Sequence, residues 1–383
     1  MTKLDELIQE LCPDGVKYKA LGEICKLVTG ATPSKTNAAY WENGTIPWMS
    51  SGEVNLKRVA ATEKKITQLG YEKNSTTIVP KHSVVIALAG QGKTRGKAAI
   101  TEIELCTNQS LCSMICNENL DYKFLYYILD GKYEELRAIS NGDGTRGGLS
   151  LKILAPYKIP VPPLPVQREI VRILDNFTEL TAELTAELTA RKKQYEYYRD
   201  SLLTFGDDIE WKTLGDVLKI KNGKDYKKFG KGNIPVYGSG GVMTYIDTYA
   251  YDKPSVLIPR KGSLDRLYYI DTPFWTVDTL FYTEIYTSVV LPKYVFYYLQ
   301  KEHLEQYNTA GGVPSLTQTV LNRIDFPVPS LSEQQRIVDI LDRFDTLCND
   351  ISKGLPAEIN ERQKQYEYYR NKLLTFKNIN AEV

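Results

Sequence analysis

The stretch Ala87 to Thr94, ALAGQGKT, comes nearest to a catalytic motif in this sequence: a loose phosphate-binding loop after an apolar run, with Ala where the first Gly belongs. Such a loop holds phosphate only when its backbone N–H groups open a helix N-terminus. Here Arg95-Gly96-Lys97 follow, and Gly96 weakens any first helical turn. No apolar strand ending in Asp follows to hold Mg²⁺. A second reading is a basic loop, because Lys93, Arg95 and Lys97 alternate and can meet phosphates or a base edge. A plain solvated turn is the third. Two more basic groups lie further on: Lys224, Lys227, Lys228 and Lys231 with Tyr226 and Phe229, and then Arg260, Lys261 and Arg266. Arginine suits bidentate recognition of guanine, and lysine serves phosphates as a point charge.

Other chemistry finds little support. Pro13-Asp14 with Glu63-Lys64-Lys65 fits a nuclease pattern only by force, without the surrounding strand signal. There is no Asn-Pro-Pro-Tyr or Asp-Pro-Pro-Tyr motif and no Gly-rich cofactor loop for methyl transfer. His82 and His303 stand alone and read as structural. The six cysteines (Cys12, Cys25, Cys106, Cys112, Cys116, Cys348) show no CxxC spacing, so a metal site is not expected. They read as reduced core thiols of a cytoplasmic protein. No apolar run reaches membrane-spanning length, and the start MTKLDELIQELCPDG lacks the apolar core of a signal peptide.

These residues must be positioned by the elements around them, and those elements repeat. KQYEYYRDSLLTF (Lys193 to Phe205) returns as KQYEYYRNKLLTF (Lys364 to Phe376), and the run Pro160 to Leu180 returns as Pro327 to Leu347. The second copy carries four more residues between its matched ends, close to one helical turn. Fainter matches precede each helix: Val16–Gly30 with Ile209–Gly223, Ile46-Pro47-Trp48 with Ile234-Pro235-Val236, Ser83–Ala89 with Ser255–Lys261, and Tyr122–Leu129 with Pro292–Leu299. The chain is two copies of one unit, a mixed α/β domain followed by a long helix. At 383 residues it is too long for one ordinary core.

The helices carry an apolar stripe at spacings of mostly three and four. Leu174, Phe177, Leu180, Leu184, Leu188, Tyr195, Tyr198, Leu202 and Phe205 form one; Leu341, Phe344, Leu347, Ile351, Leu355, Ile359, Tyr366, Tyr369, Leu373 and Phe376 form the other. This is a coiled-coil seam. Gly354-Leu355-Pro356 is expected to break or kink the second helix. The first contains TAEL twice, Thr181–Leu184 and Thr185–Leu188. Strands are expected at Thr77–Pro80, Ser83–Ala89 and Ser255–Pro259, with Gly-rich loops at Gly142–Gly148, Gly238–Gly241 and Gly311–Gly312. By the repeat, Leu4–Leu11 matches the end of the first long helix, so an N-terminal helix is expected to pack near the C-terminal one.

Paired α/β domains, each followed by a helix ending KQYEYYR…LLTF, resemble HsdS, the type I restriction–modification specificity subunit, and TAEL marks one branch of that family. The resemblance spans almost the whole chain. It implies an α+β protein: two α/β target recognition domains in pseudo-twofold arrangement, joined by two long helices in an antiparallel coiled coil. The expected parts are a recognition domain over 1–162, a helical spacer over 163–206, a second recognition domain over 207–329 and a C-terminal spacer over 330–383. Each head is expected to read half of a bipartite site on double-stranded DNA. The helices set the gap and dock two methyltransferase (modification) subunits, and motor-nuclease (restriction) subunits join for cleavage. No catalytic centre, cofactor or metal of its own is expected. The candidate DNA contacts are Ser34, Lys35, Trp48, Ser50, Lys93, Thr94, Arg95, Lys97 and Arg146 in the first head. In the second they are Lys224, Lys227, Lys228, Tyr237, Ser239, Arg260, Lys261 and Arg266. A net charge of only +1 argues against a free-standing nucleic-acid binder, so either the basic groups are local or a partner supplies the rest of the positive field. The 27 tyrosines suit wet interfaces as well as core and helix packing. A scaffold without DNA, or a nucleotidase or nuclease in its own right, are the competing readings.

Overall fold

The computed structural model describes residues 2–90, 94–140, 148–262, 264–308, 311–350 and 353–379. The first repeat contains α1 (Lys3–Leu11), β1 (Tyr18–Ala20), α2 (Leu21–Ile24), β2 (Cys25–Thr29), β3 (Ile46–Met49), β4 (Arg58–Val59) and β5 (Lys64–Ile66). It continues with α3 (Gln68–Lys73), β6 (Ile78–Val79), β7 (Val84–Ala87), β8 (Ala98–Thr101), β9 (Leu105–Thr107) and β10 (Leu111–Cys116). It ends in α4 (Tyr122–Gly131), α5 (Tyr133–Ala138), α6 (Leu151–Leu154) and β11 (Lys158–Pro160). The long α7 (Leu164–Leu202) follows. The second repeat contains β12 (Glu210–Thr213), α8 (Leu214–Val217), β13 (Leu218–Asn222), β14 (Lys231–Gly238), β15 (Gly241–Ile246), β16 (Ser255–Pro259), β17 (Tyr268–Ile270), β18 (Trp275–Thr276) and β19 (Leu280–Ile285). It closes with α9 (Pro292–Lys301), α10 (Gln318–Leu321), β20 (Asp325–Val328), α11 (Leu331–Asn349) and α12 (Leu355–Leu373).

The chain divides into two compact units, residues 1–183 with 360–383, and residues 184–359. In the first, β1 pairs with β11, a five-stranded sheet runs β2-β10-β7-β8-β4, and a four-stranded sheet runs β5-β3-β9-β6. In the second, β12 pairs with β20, a four-stranded sheet runs β13-β19-β16-β17, and a three-stranded sheet runs β15-β14-β18. Both smaller sheets contain a parallel pair, Trp48 opposite Cys106 and Val236 opposite Trp275. The central strands read as unbroken apolar runs because both faces are covered. Along β7, Val84 and Ile86 enter one core while Val85 and Ala87 enter another. Along β16, Val256 and Ile258 face one core and Leu257 the other. This is the period of two of an extended chain.

The helices α4 and α9 lie in the main cores. Phe124 to Leu129 are all buried, and Asp121 caps α4 by accepting from the Lys123 and Phe124 N–H groups. Each such side chain contributes roughly 1.5–3 kcal/mol of hydrophobic stabilisation. The expected break is present: α11 stops at Asn349 and α12 starts at Leu355. A Cβ on Gly354 would lie 2.3 Å from the Thr346 carbonyl oxygen, so the chain turns there only with glycine. Phe177 of α7 stacks on Tyr369 of α12 within the first unit, and Tyr198 of α7 on Phe344 of α11 within the second, each at 5.4 Å. Along the first stripe only two residues are buried. Leu174 and Tyr195 are buried, but no residue between them is, and Leu180 remains 45% exposed. Helix α1 shares a core with the chain's end: Leu4 is buried in the cluster that holds Leu373, Leu374 and Phe376, and the Val16 N–H donates to the Lys377 carbonyl. Among the described residues, no helix is long and apolar enough to cross a membrane.

Candidate nucleic-acid interface

In the second repeat, the loop Thr276–Leu280 between β18 and β19 gathers three others by backbone bonds. The Lys224 N–H donates to the Thr276 carbonyl at 2.8 Å, and the Val277 N–H to the Tyr237 carbonyl at 3.0 Å. The Arg260 N–H donates to the Thr279 carbonyl at 2.8 Å, and the Ser239 N–H to the Thr279 hydroxyl at 3.3 Å. Close approach requires glycine at the first loop, since a Cβ on Gly223 would lie 2.0 Å from the Val277 carbonyl oxygen. The Trp275 indole N–H donates to the Lys224 carbonyl, and the Tyr268 hydroxyl to the Ser239 carbonyl. Lys224, Tyr237, Ser239, Arg260 and Lys261, far apart in sequence, therefore share one loop face.

On that face Lys224 and Lys261 are exposed, and Tyr237, Ser239 and Arg260 half-buried. The Arg260 guanidinium lies 5.8 Å over the Phe281 ring, which orients it without consuming its donors. Burial, with the phenols of Tyr245 and Tyr268 alongside, raises the pKa of Tyr237, so its hydroxyl stays protonated and neutral. Lys227 and Lys228 are exposed on the Gly223–Gly230 loop, where the Lys228 ammonium sits 5.0 Å over Phe229. Arg266 is exposed in the turn that leads into Tyr268.

The first repeat builds the same frame. The Leu88 N–H donates to the Ser110 carbonyl as that of Arg260 does to Thr279, and the Leu88 carbonyl accepts from Leu149 as that of Arg260 does from Leu316. The Trp48 indole N–H donates to the Ala31 carbonyl at 2.9 Å, the counterpart of Trp275 on Lys224, although the two indoles come from opposite strands of their parallel pairs. On equivalent backbone the first head carries Ala31 where the second has Lys224, and the buried Leu88 where it has Arg260.

Several expected first-head contacts face elsewhere. Trp48 is buried, its N–H already donated and its ring edge-on to Trp41, so it supports the loop from within. Thr94 is buried and donates to the Ala89 carbonyl. The Ser50 hydroxyl donates to Glu53 within a capping box. Arg95 is half-buried, its Nε enclosed without a partner among the described residues, and the Lys97 ammonium donates to Asn55. Ser34 and Lys35 are exposed. Lys93 and Arg146 lie outside the described residues. The phosphate-loop resemblance ends here as well: β7 and β8 are an antiparallel hairpin, and the chain passes from Thr94 through a turn into a strand, so that segment offers no helix N-terminus to phosphate.

The gathering loop itself escaped the sequence reading. Its signal is faint but present: Thr107, Ser110 and Leu111 carry the same spacing as Thr276, Thr279 and Leu280. Thr107 and Thr276 are both buried. Among the described residues, no cluster of His, Cys, Asp or Glu is arranged to hold a metal.

Comparison with known proteins places this frame. The family model described as the type I restriction modification DNA specificity domain matches twice, over residues 13–191 and 206–361. The chain is similar to the EcoR124I/EcoR124II specificity subunit of Escherichia coli, at 33% identity over 98% of this chain and 97% of that one. It is similar also to the EcoprrI specificity subunit of Escherichia coli, at 32% identity over 88% and 90%. The fold is that of the type I restriction-modification S subunit from M. genitalium, with a TM-score of 0.59 over 94% of this chain and 97% of that one, at 18% identity.

Proposed function

The chain belongs to the family of type I restriction–modification DNA specificity subunits, and from that premise we propose that it is the DNA-reading, non-catalytic subunit of such a complex, acting in the cytoplasm. Each head reads one half of a bipartite site on double-stranded DNA. Helices α7, α11 and α12 set the gap and dock two methyltransferase subunits, and motor-nuclease subunits join the full complex for cleavage. The observation that carries this reading is one backbone frame built twice with different side chains on it. Two such heads in one chain read an asymmetric site, where a symmetric dimer reads a palindrome.

In the second head, Arg260, Lys261, Lys224, Tyr237 and Ser239 form the reading face, with Lys227, Lys228 and Arg266 on flanking phosphates. In the first head, Ser34 and Lys35 are the exposed candidates. Arg95 and Lys97 lie at the turn before β8; Lys93 and Arg146, outside the described residues, stay candidates, whereas Trp48, Ser50 and Thr94 hold the frame. The chain's near-neutral charge makes much of its affinity depend on the methyltransferase partners.

The test is DNA binding and methylation mapping with the chain alone and in complex with a methyltransferase partner. A split, asymmetric methylated site supports the proposal. Absence of DNA binding in the complex, or nucleotide hydrolysis by the isolated chain, overturns it. Arg260→Ala is expected to weaken binding by about 1–3 kcal/mol and relax one position of one half-site. An equal loss on every sequence marks Arg260 as a phosphate contact instead.

A further inference from the structure

Each head is fastened to the long helix beside it by the same polar clasp. In the first unit, the Asp175 carboxylate on α7 accepts from the Lys123 ammonium and the Tyr127 hydroxyl of α4, both at 2.6 Å. In the second, Asp342 on α11 accepts from Lys293 and Tyr297 of α9, again both at 2.6 Å. Lysine and tyrosine stand four residues apart on one helix face, so a single carboxylate reaches both. Eight residues before each aspartate a fully buried glutamine makes a second attachment. Gln167 accepts from the Asp121 N–H at the start of α4, and Gln334 from the Leu291 N–H at the start of α9. Two polar attachments along one helix fix its rotation as well as its distance, which apolar contact alone does not. The first clasp has a third arm, because Arg58 of β4 reaches Asp175 at 3.4 Å.

We propose that these clasps fix the angle at which each head leaves its helix, and that Asp175 and Asp342, with Tyr127 and Tyr297, are positioning residues for the length of the unread gap. This rests on the two-headed reading above. The second clasp, which has no arginine among the described residues, is the one more easily loosened.

The experiment maps methylation in a host carrying the complete system, with the wild-type chain, Tyr297→Phe, Asp342→Asn, and their counterparts Tyr127→Phe and Asp175→Asn. Loss of one hydrogen bond is expected to raise methylation at sites one base pair longer or shorter in the gap up to about tenfold relative to native sites. Both half-site sequences should stay unchanged, with larger effects at the second clasp. A merely structural role lowers the thermal midpoint and total methylation without moving that ratio, and this result overturns the proposal. Should Asp342→Asn fail to accumulate, the isosteric Tyr297→Phe carries the same comparison. If the wild-type complex methylates no split site, the two-headed reading has failed. If it does and every variant keeps the native gap, only the clasp has.

Discussion

At the scale of single residues, the side chains that hold the loops matter as much as those that face outward. The Gln334 amide accepts from Leu291 and donates to the Val289 and Pro329 carbonyls. Truncation leaves one buried and two half-buried backbone groups without that partner, so Gln334→Ala is expected to destabilise the second unit by roughly 1–3 kcal/mol. Denaturant unfolding followed by tryptophan fluorescence, with Trp211 and Trp275 in the second unit and Trp41 and Trp48 in the first, reads this, and unshifted transitions refute it. The indoles make a subtler case. Trp275→Phe keeps the ring but removes the donor to Lys224, so the Lys224 loop loses one anchor. Affinity is expected to fall by about threefold to tenfold, and only through the second half-site. Trp48→Phe should do the same through the first, and competition binding with half-site variants separates the two. The sequence marked Trp48 as a contact because an exposed indole and a buried one look alike in a string of letters. Only the Ala31 carbonyl beside it tells them apart.

At the scale of elements, α7 is a continuous helix through both TAEL units, so an insertion there is carried along the rod rather than absorbed by a loop. One further TAEL after Leu188 adds about 6 Å and about 400° of rotation. The apolar stripe therefore returns close to its original face. A base pair rises about 3.4 Å along the duplex, so the insertion corresponds to between about one and two base pairs, fewer as the rod lies more obliquely across the duplex. The expected result is a gap one base pair longer with both half-sites unchanged. A two-residue insertion turns the stripe by about 200° and is expected to abolish assembly. Methylation mapping of both variants decides whether the helix is the ruler. An unchanged gap in the first, or normal activity in the second, removes it from that role.

At the scale of the whole molecule, each head closes on itself. Tyr18 pairs with Pro160, and Glu210 with Val328, so each head enters and leaves through one antiparallel pair. A segment whose two ends meet is exchanged with little disturbance elsewhere. Replacing residues of about 16–160 by the head of another family member is expected to change one half-site and leave the other as it was. If methylation mapping finds both changed, or neither, the heads do not read independently.

The sequence alone determined the two repeats, the long helices, the break at Gly354-Leu355-Pro356 and the strand segments Thr77–Pro80, Ser83–Ala89 and Ser255–Pro259, within which the strands lie. Each depends on short-range physics: helical periodicity, the missing N–H of proline, or an apolar run bounded by turns. The family was legible for the same reason, since its marks are contiguous strings. Tertiary structure alone decided which loops form one face. Lys224, Ser239 and Arg260 meet because each bonds to Thr276 or Thr279, and although the loop that gathers them repeats, the sequence does not say which loops it gathers. It likewise decided that Thr94 and Trp48 turn inward, that the TAEL turns stay half-exposed, and that Asp175 and Asp342 each gather a lysine and a tyrosine from another helix. A polar residue declares its donors and acceptors in the sequence, but its partner is chosen by the packing that brings the two within reach.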